Sequence, residues 1–378
     1  MVALPLMISL AVMAYAWPAS RIAPRDLPVG VVGTSMASQH AIEGLTRNKP
    51  GGFDFHLYPD QASARSAIKS REVYGAFAVT AGDVTVMEAS AASGSVAQML
   101  TTLGQQLAAH APKLPTGDAT SSSATSHRTT VGKRVATAPR VSVRTVDVVP
   151  SSADDPRGVV FNSAFLPLTI CSILIAVLIA MSGIEMPAWR RLVDLFAASA
   201  AAGLAAYLVA QGLLGALPHD PVSTWAALSL TMLAISATGV GLITLIGSPG
   251  LGVSAALMVF VGNPFSGITS APELLPKAVA DIGQWLPPGA GASLLRGTSY
   301  FDGNGSGRSI TVLVLWCVLG LTAVLFGRRT PSATVELIAE DHPGADGTST
   351  SPVVNETPAV SPSPANHPHS HARHTAHG

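Results

Sequence analysis

Charge is what this chain has least of. Only 12% of its 378 residues are Asp, Glu, Lys or Arg, where soluble domains carry about one quarter. The 22 basic and 22 acidic residues balance, so no basic field points to nucleic acid as a partner. Cysteine is scarcer still. Cys171 and Cys317 are the two in the chain, too few for a disulfide framework, and both are expected as buried structural thiols. Several catalytic signatures are missing. No G-x-x-x-x-G-K-[ST] occurs, because "VGKR" (Val131–Arg134) lacks the upstream glycine and the hydroxyl residue, so the chain by itself has no P-loop for nucleotide hydrolysis. Neither H-E-x-x-H nor G-x-S-x-G is present. No enzyme is expected, and neither a catalytic residue, a cofactor nor a metal is assigned.

What is present is hydrophobic: 48% of the residues, with a mean hydropathy of +0.41. Asp, Glu, Lys and Arg are absent from Met1 to Ser20, Gly158 to Ile184, Leu195 to His219, Pro221 to Pro272 and Ser309 to Gly327. A helix needs about 20 mostly apolar residues to cross a bilayer, and the fourth run is long enough for two, turned by "GSPGLG" (Gly247–Gly252). The runs predict spans near 1–17, 163–182, 195–217, 225–246, 252–270 and 309–327. Intramembrane carboxylates, which mark proton relays, are missing from them. Arg190 and Arg191 lie between the second and third spans, and Arg328 and Arg329 follow the last. Placing both pairs in the cytoplasm puts residues 18–162 and 271–308 outside the cell membrane and the tail, 328–378, inside. Lys277, Arg296 and Arg308 in the outer loop run against this rule. The first span is expected as a retained anchor. A cleaved signal, suggested by "AYA" (Ala14–Ala16), and a start site that truncates a longer cytoplasmic segment are the alternatives.

Residues 26–150 read as a small α/β domain. Strands are expected at Leu27–Val32, Phe53–Tyr58, Gly75–Val79, Val84–Glu88 and Val143–Val149, with helices at Ala37–Thr46, Ala62–Ser70 and Val96–His110. Alternation of this kind predicts a mostly parallel sheet. Residues 114–139, rich in Ser, Thr and Ala, read as a flexible insertion. The Pro/Ser/Thr-rich tail is expected to be disordered. Its His367, His369, His371, His374 and His377 suit weak, incidental metal binding rather than a built site.

Two short stretches stand out. In "IEMPAWRRLVDLF", Trp189, Leu192, Val193 and Phe196 follow helical spacing, with Arg190, Arg191 and Asp194 opposite. This predicts an amphipathic helix lying on the inner membrane surface, either as an anchor or as a docking element. In "PELLPKAVADIGQWL", Leu275, Val279, Ile282 and Leu286 share one face, and Glu273, Lys277, Asp281 and Gln284 another. The proline pair Pro287–Pro288 with Gly289 is expected to close that helix and form the tip of a re-entrant hairpin, before "AGASLLRG" restarts a helix carrying Arg296. Upstream, "GNPFSG" (Gly262–Gly267) is expected to break the fifth span near its outer end.

With its N-terminal helix, large outer domain opening on "LPVGVVG", five clustered C-terminal helices and "GNPFSG … ELLP … LPPGAGASLLRG … YFDG", the chain resembles the membrane permeases of type-2 ABC exporters, including the phage-infection-protein-like branch. The resemblance covers most of residues 1–327. It implies a polytopic α-helical membrane protein with an α/β extracytoplasmic domain, working as a homodimer or with a second permease. It also implies a separate ABC ATPase subunit, touched through Glu185, Trp189, Arg190, Arg191 and Asp194. The outer gate would comprise Asn263, Pro264, Ser266, Gly267, Pro287, Pro288, Gly289 and Arg296. Here the chain departs from that pattern in lacking a basic cytoplasmic segment before the first helix. A second class stays open: a membrane-anchored scaffold or receptor whose outer domain binds a cell-surface partner without transport.

Overall fold

The computed structural model describes residues 3–80, 83–110, 142–156, 158–182, 187–217 and 220–327. The expected insertion at 114–139, Glu185, Arg328, Arg329 and the histidine-bearing tail lie outside the described residues.

A five-stranded sheet is built from β1 (Leu27–Val32), β2 (Phe53–Tyr58), β3 (Gly75–Val79), β4 (Asp83–Glu88) and β5 (Ser142–Asp147), ordered β2-β1-β3-β4-β5. Every neighbouring pair is parallel except β3 with β4, so the mostly parallel expectation holds. Helices α2 (Met36–Asn48), α3 (Gln61–Lys69) and α4 (Gly94–His110) make the crossovers and cover the sheet. Side chains fix two of their starts: Ser35 Oγ accepts from Ser38 N at 3.2 Å and Asp60 Oδ1 from Ser63 N at 2.7 Å. The central strand β3 is buried on both faces. On one side, Leu27, Val29, Phe77, Val86 and Leu100 form a core that also takes in Ala271 and Leu274 from much later in the chain. On the other, Ala76, Ala78 and Met87 join α3 and continue into the core of the helical bundle.

Among the described residues, four helices are long and apolar enough to cross a membrane: Val159–Ser182 (α5), Ala188–Leu213, Pro221–Ile246 (α7) and Gly307–Phe326. Of the second, Ala188–Tyr207 is α6 and Leu208–Leu213 is π-helical. The other two expected spans are shorter. The first is α1 (Ala3–Ala19). The second runs through α8 (Pro249–Ala255), a π-helical stretch at Ala256–Gly262 and α9 (Asn263–Phe265). It ends within the expected break, at Phe265, and Gly267 just beyond has φ +68°. In the π stretch, side chains collect two carbonyls: Tyr15 OH donates to Val259 O at 2.9 Å and Asn263 Nδ2 to Met258 O at 3.3 Å. Beyond it come a 3₁₀ turn (Pro272–Leu274), α10 (Lys277–Trp285), α11 (Pro287–Tyr300) and the last long helix, α12 (Gly307–Phe326).

α7 is the hub of the bundle. Small residues let its neighbours close on it, as they do where lipid supplies no hydrophobic drive. A Cβ at Gly241 would meet the Gly320 carbonyl of α12 at 2.8 Å, and one at Gly320 the Ala237 backbone at 2.5 Å. A Cβ at Gly239 would meet Ala176 of α5 at 2.7 Å. Ser199 of α6 and Ser236 of α7 share a buried hydroxyl contact at 3.2 Å. The outward faces of α5 and α6 remain uncovered, with Leu174, Leu178, Val193 and Leu204 exposed.

Two expectations are corrected here. Trp189, Arg190, Arg191 and Asp194 belong to no separate surface helix, because α6 runs unbroken from Ala188 into its long apolar part. Burial does not follow the two expected faces: Trp189, Arg190, Val193 and Phe196 are exposed, whereas Arg191 and Leu195 are buried. Periodicity finds a helix's two sides, but in an apolar surround it does not say which side faces protein. Cys317 is buried as expected; Cys171 is exposed on α5.

Candidate functional site

The segment from Gly262 to Tyr300 is wedged between sheet and bundle, held by backbone approaches that only small residues permit. A Cβ on Gly262 would strike Pro288 Cγ at 2.7 Å, one on Gly283 the Phe265 carbonyl, and one on Gly289 the Gly283 carbonyl. One on Gly291 would meet the Thr231 side chain of α7. Gln284 stitches the turn: its Nε2 donates to Ser266 O at 2.9 Å, and its Oε1 accepts from Ser293 Oγ at 2.7 Å. Asn263, Pro264, Ser266, Gly267, Pro287, Pro288, Gly289 and Arg296, scattered over the sequence, therefore fold into one body.

The expected hairpin tip is replaced by a corner. The extended Leu286 (φ −97°, ψ 149°) turns the chain, and Pro287 and Pro288 form the first turn of α11 instead of ending α10. Proline suits that position because a first-turn N–H has no helical acceptor. Pro287, Pro288, Gly289 and Gly291 are buried. α11 runs on to Tyr300.

Arg296 explains why a guanidinium stands in so apolar a stretch. It is 7% exposed, donates through one terminal nitrogen to Ile268 O at 3.0 Å, and lies 4.9 Å from the centre of the Phe161 ring. Burial lowers its pKa to about 10, with Tyr74 opposing that shift. Arg71 approaches from the sheet side at φ +63°, donating to Ser293 O at 3.2 Å and sitting over Phe301 at 5.4 Å. Tyr74 OH donates to Glu273 Oε2 at 2.6 Å, and burial with that carboxylate pushes the phenol well above its ordinary pKa. Arg25 donates to Leu274 O at 2.8 Å, and the backbone N–H groups of Ala23 and Arg25 donate to Leu274 O and Glu273 O. These groups surround a polar cavity of about 330 Å³. On the bundle side, Tyr300 OH donates to Ala216 O at 2.5 Å, and Asp155 accepts from the first N–H groups of α5 at 2.7 and 2.9 Å.

Further spaces adjoin the wedge. One of about 440 Å³ is bordered by Tyr15, Asn162, Phe165, Asn263, Pro264 and Gly267. An apolar groove of about 410 Å³ runs between α5, α6 and α7 past Cys171, Leu228 and Met232. Among the described residues no group of His, Cys, Asp or Glu is placed to hold a metal ion.

Trp189, Arg190, Arg191 and Asp194 sit elsewhere. α5 leaves the sheet and α6 returns to it, with Ser152 Oγ donating to Gly215 O at 2.5 Å where the return ends. The start of α6 is thus at the far end of the bundle from the sheet. Arg25, Arg71, Tyr74 and Phe161 were not singled out from the sequence. A faint signal was there: "REVYGAF" sets Arg71 and Tyr74 just ahead of a strand that is buried on both sides.

No family model matches this chain, and no curated protein or solved structure matches it.

Proposed function

We propose that this chain is the membrane subunit of an exporter whose energy comes from a separate ATPase, and that the wedge from Gly262 to Tyr300 is its gate. One observation carries the reading. The wedge is fastened at once to the sheet, through Ala271, Leu274 and the Tyr74–Glu273 hydrogen bond, and to the central helix α7, through Gly291 against Thr231. A rearrangement of the bundle therefore reaches the sheet domain through the wedge, as outward gating requires. Cytoplasmic Arg190 would put the sheet domain outside. The absence of charged residues from the long runs suits a large or lipidic substrate, and the small-residue faces suit assembly as a homodimer or with a second permease.

In this reading Trp189 and Arg190, both exposed at the far end of the bundle, meet the ATPase. Buried Arg191 holds the start of α6 in place. The test is affinity purification of the full chain from its native membrane, followed by ATP hydrolysis in liposomes. An ATPase is expected to co-purify and to be lost with Trp189→Ala, a central aromatic anchor being worth about 2 kcal/mol or more. Wild-type protein free of any ATPase sinks the exporter reading and favours a membrane-anchored scaffold or receptor.

A further inference from the structure

We propose that the polar cavity at the wedge binds a phosphate-type oxyanion, with a membrane lipid headgroup as the source its surroundings favour. This stands apart from the exporter reading.

The cavity is lined by five cations: Arg25, Arg71, Lys277, Arg296 and Arg308. Against them stand Asp26, Glu273 and Asp281, an excess of two positive charges (five minus three). Among the described residues, the ion pairs within 4.0 Å are His40–Glu43 and His56–Asp54, so no carboxylate is in contact with any of the five, although Glu273 acts on Arg71 and Arg296 from farther off. Asp26 and Asp281 sit exposed at the rim, and one oxygen of Glu273 is already committed to Tyr74.

The donors are also underused. A guanidinium offers five N–H groups. In buried Arg296, Ile268 O takes one, and in Arg71, Ser293 O takes one. Aromatic rings cover a face of each, Phe161 and Phe301 respectively, leaving the planar edges to meet a ligand. Such forks match phosphate oxygens in pairs. A buried cation with one neutral acceptor and no counter-ion in contact costs stability that a bound anion returns. The space of about 330 Å³ accommodates a phosphate group.

The rim points to lipid. Arg308 stands over the exposed Trp285 at 5.7 Å, whose carbonyl accepts from Trp316 Nε1 of α12 at 2.8 Å. Ile282 and Ile310 are exposed beside it. Tryptophan and arginine next to uncovered aliphatic side chains at the start of a long apolar helix are the chemistry of a membrane–water boundary.

The test uses the full chain, delipidated in neutral detergent, with two probes, phosphatidylglycerol and inorganic phosphate, and chloride at equal ionic strength as the control. Thermal stability gives the affinity, and native mass spectrometry counts retained lipid. Phosphatidylglycerol is expected to stabilise and be retained, with inorganic phosphate competing at higher concentration. Arg296→Gln should weaken binding about tenfold or more, since a hydrogen bond to a charged group is lost, and Arg296→Lys should restore only part of it. Because Arg296 is buried, the exposed rim pair Lys277→Gln/Arg308→Gln provides a variant that folds, expected to bind several-fold more weakly. Binding of phosphate but not lipid keeps the oxyanion site and rejects the lipid source. No stabilisation beyond chloride by either probe, or unchanged affinity in both the Arg296→Gln and rim variants, overturns the proposal.

Discussion

At the scale of single residues, burial against backbone sets the chemistry of the junction. Tyr300 is 8% exposed, and its phenol is raised to about 12, chiefly by burial and then by the charge of Asp155. A phenol whose folded pKa lies above its ordinary 10 favours the fold while protonated. Its contribution is complete below pH 10 and disappears as the pH climbs through about 12. Burial weighs on Arg296 in the opposite sense, because the fold disfavours its charged form. The two are separated by comparison with a variant. Relative to wild type, Tyr300→Phe should be less stable at pH 8, where the bond to Ala216 O is lost, by about 1 kcal/mol. That deficit should shrink between pH 10 and 12, as read by thermal unfolding in detergent across the range. A deficit that stays constant with pH would show that the phenol does not titrate with unfolding.

At the scale of elements, helix packing turns on a few α-carbons. Gly320 lets α12 lie on the Ala237–Thr238 backbone of α7, so Gly320→Leu should part the two helices. Overpacking by one side chain costs about 1–3 kcal/mol. The expected result is a lower melting temperature in detergent, whereas Gly44→Ala in α2, where a Cβ meets nothing within 4 Å, should gain about 0.5–1 kcal/mol. Equal stability of wild type and Gly320→Leu would disprove close packing there. The same contrast explains what the sequence made legible. β1 to β5 were readable because β-branched runs such as "LPVGVV" and "VTVME" are bounded by turn residues, and long apolar helices because charge is excluded from them. The wedge was readable only in outline. Pro287 and Pro288 serve equally to stop one helix or begin the next, and the extended Leu286 decides between them. Arg71 was invisible because Ser293, which accepts from it, is 222 residues away, beyond the reach of any local pattern.

At the scale of the whole molecule, the path of the chain makes a claim about sides that holds whichever way the protein inserts. The sheet and the start of α6 lie at opposite ends of helices long enough to span a bilayer. Single cysteines at position 54, exposed on the edge strand β2, and at position 190, exposed at the start of α6, should therefore label from opposite sides. The background is Cys171→Ala/Cys317→Ala in sealed vesicles with an impermeant maleimide. Labelling of both from one side would rule out the four long helices as crossings.

The π-helical stretch at Ala256–Gly262 has a mechanical consequence. A π turn holds more chain than an α turn, and each residue of an α-helix accounts for about 100° of rotation and about 1.5 Å of rise. Relaxing the stretch to α geometry would act as a screw, swinging Asn263 and Pro264 around the axis while drawing the wedge along it. Deleting Ala256 should lock in the turned state. The folded variant would then lose the bridge that a flexible bis-maleimide forms between cysteines at positions 15 and 259. A wild-type crosslink that survives the deletion would mean that the added residue is absorbed elsewhere and drives no rotation. On this geometry the helix stores a discrete angular step in the stretch whose last residue, Gly262, packs against Pro288.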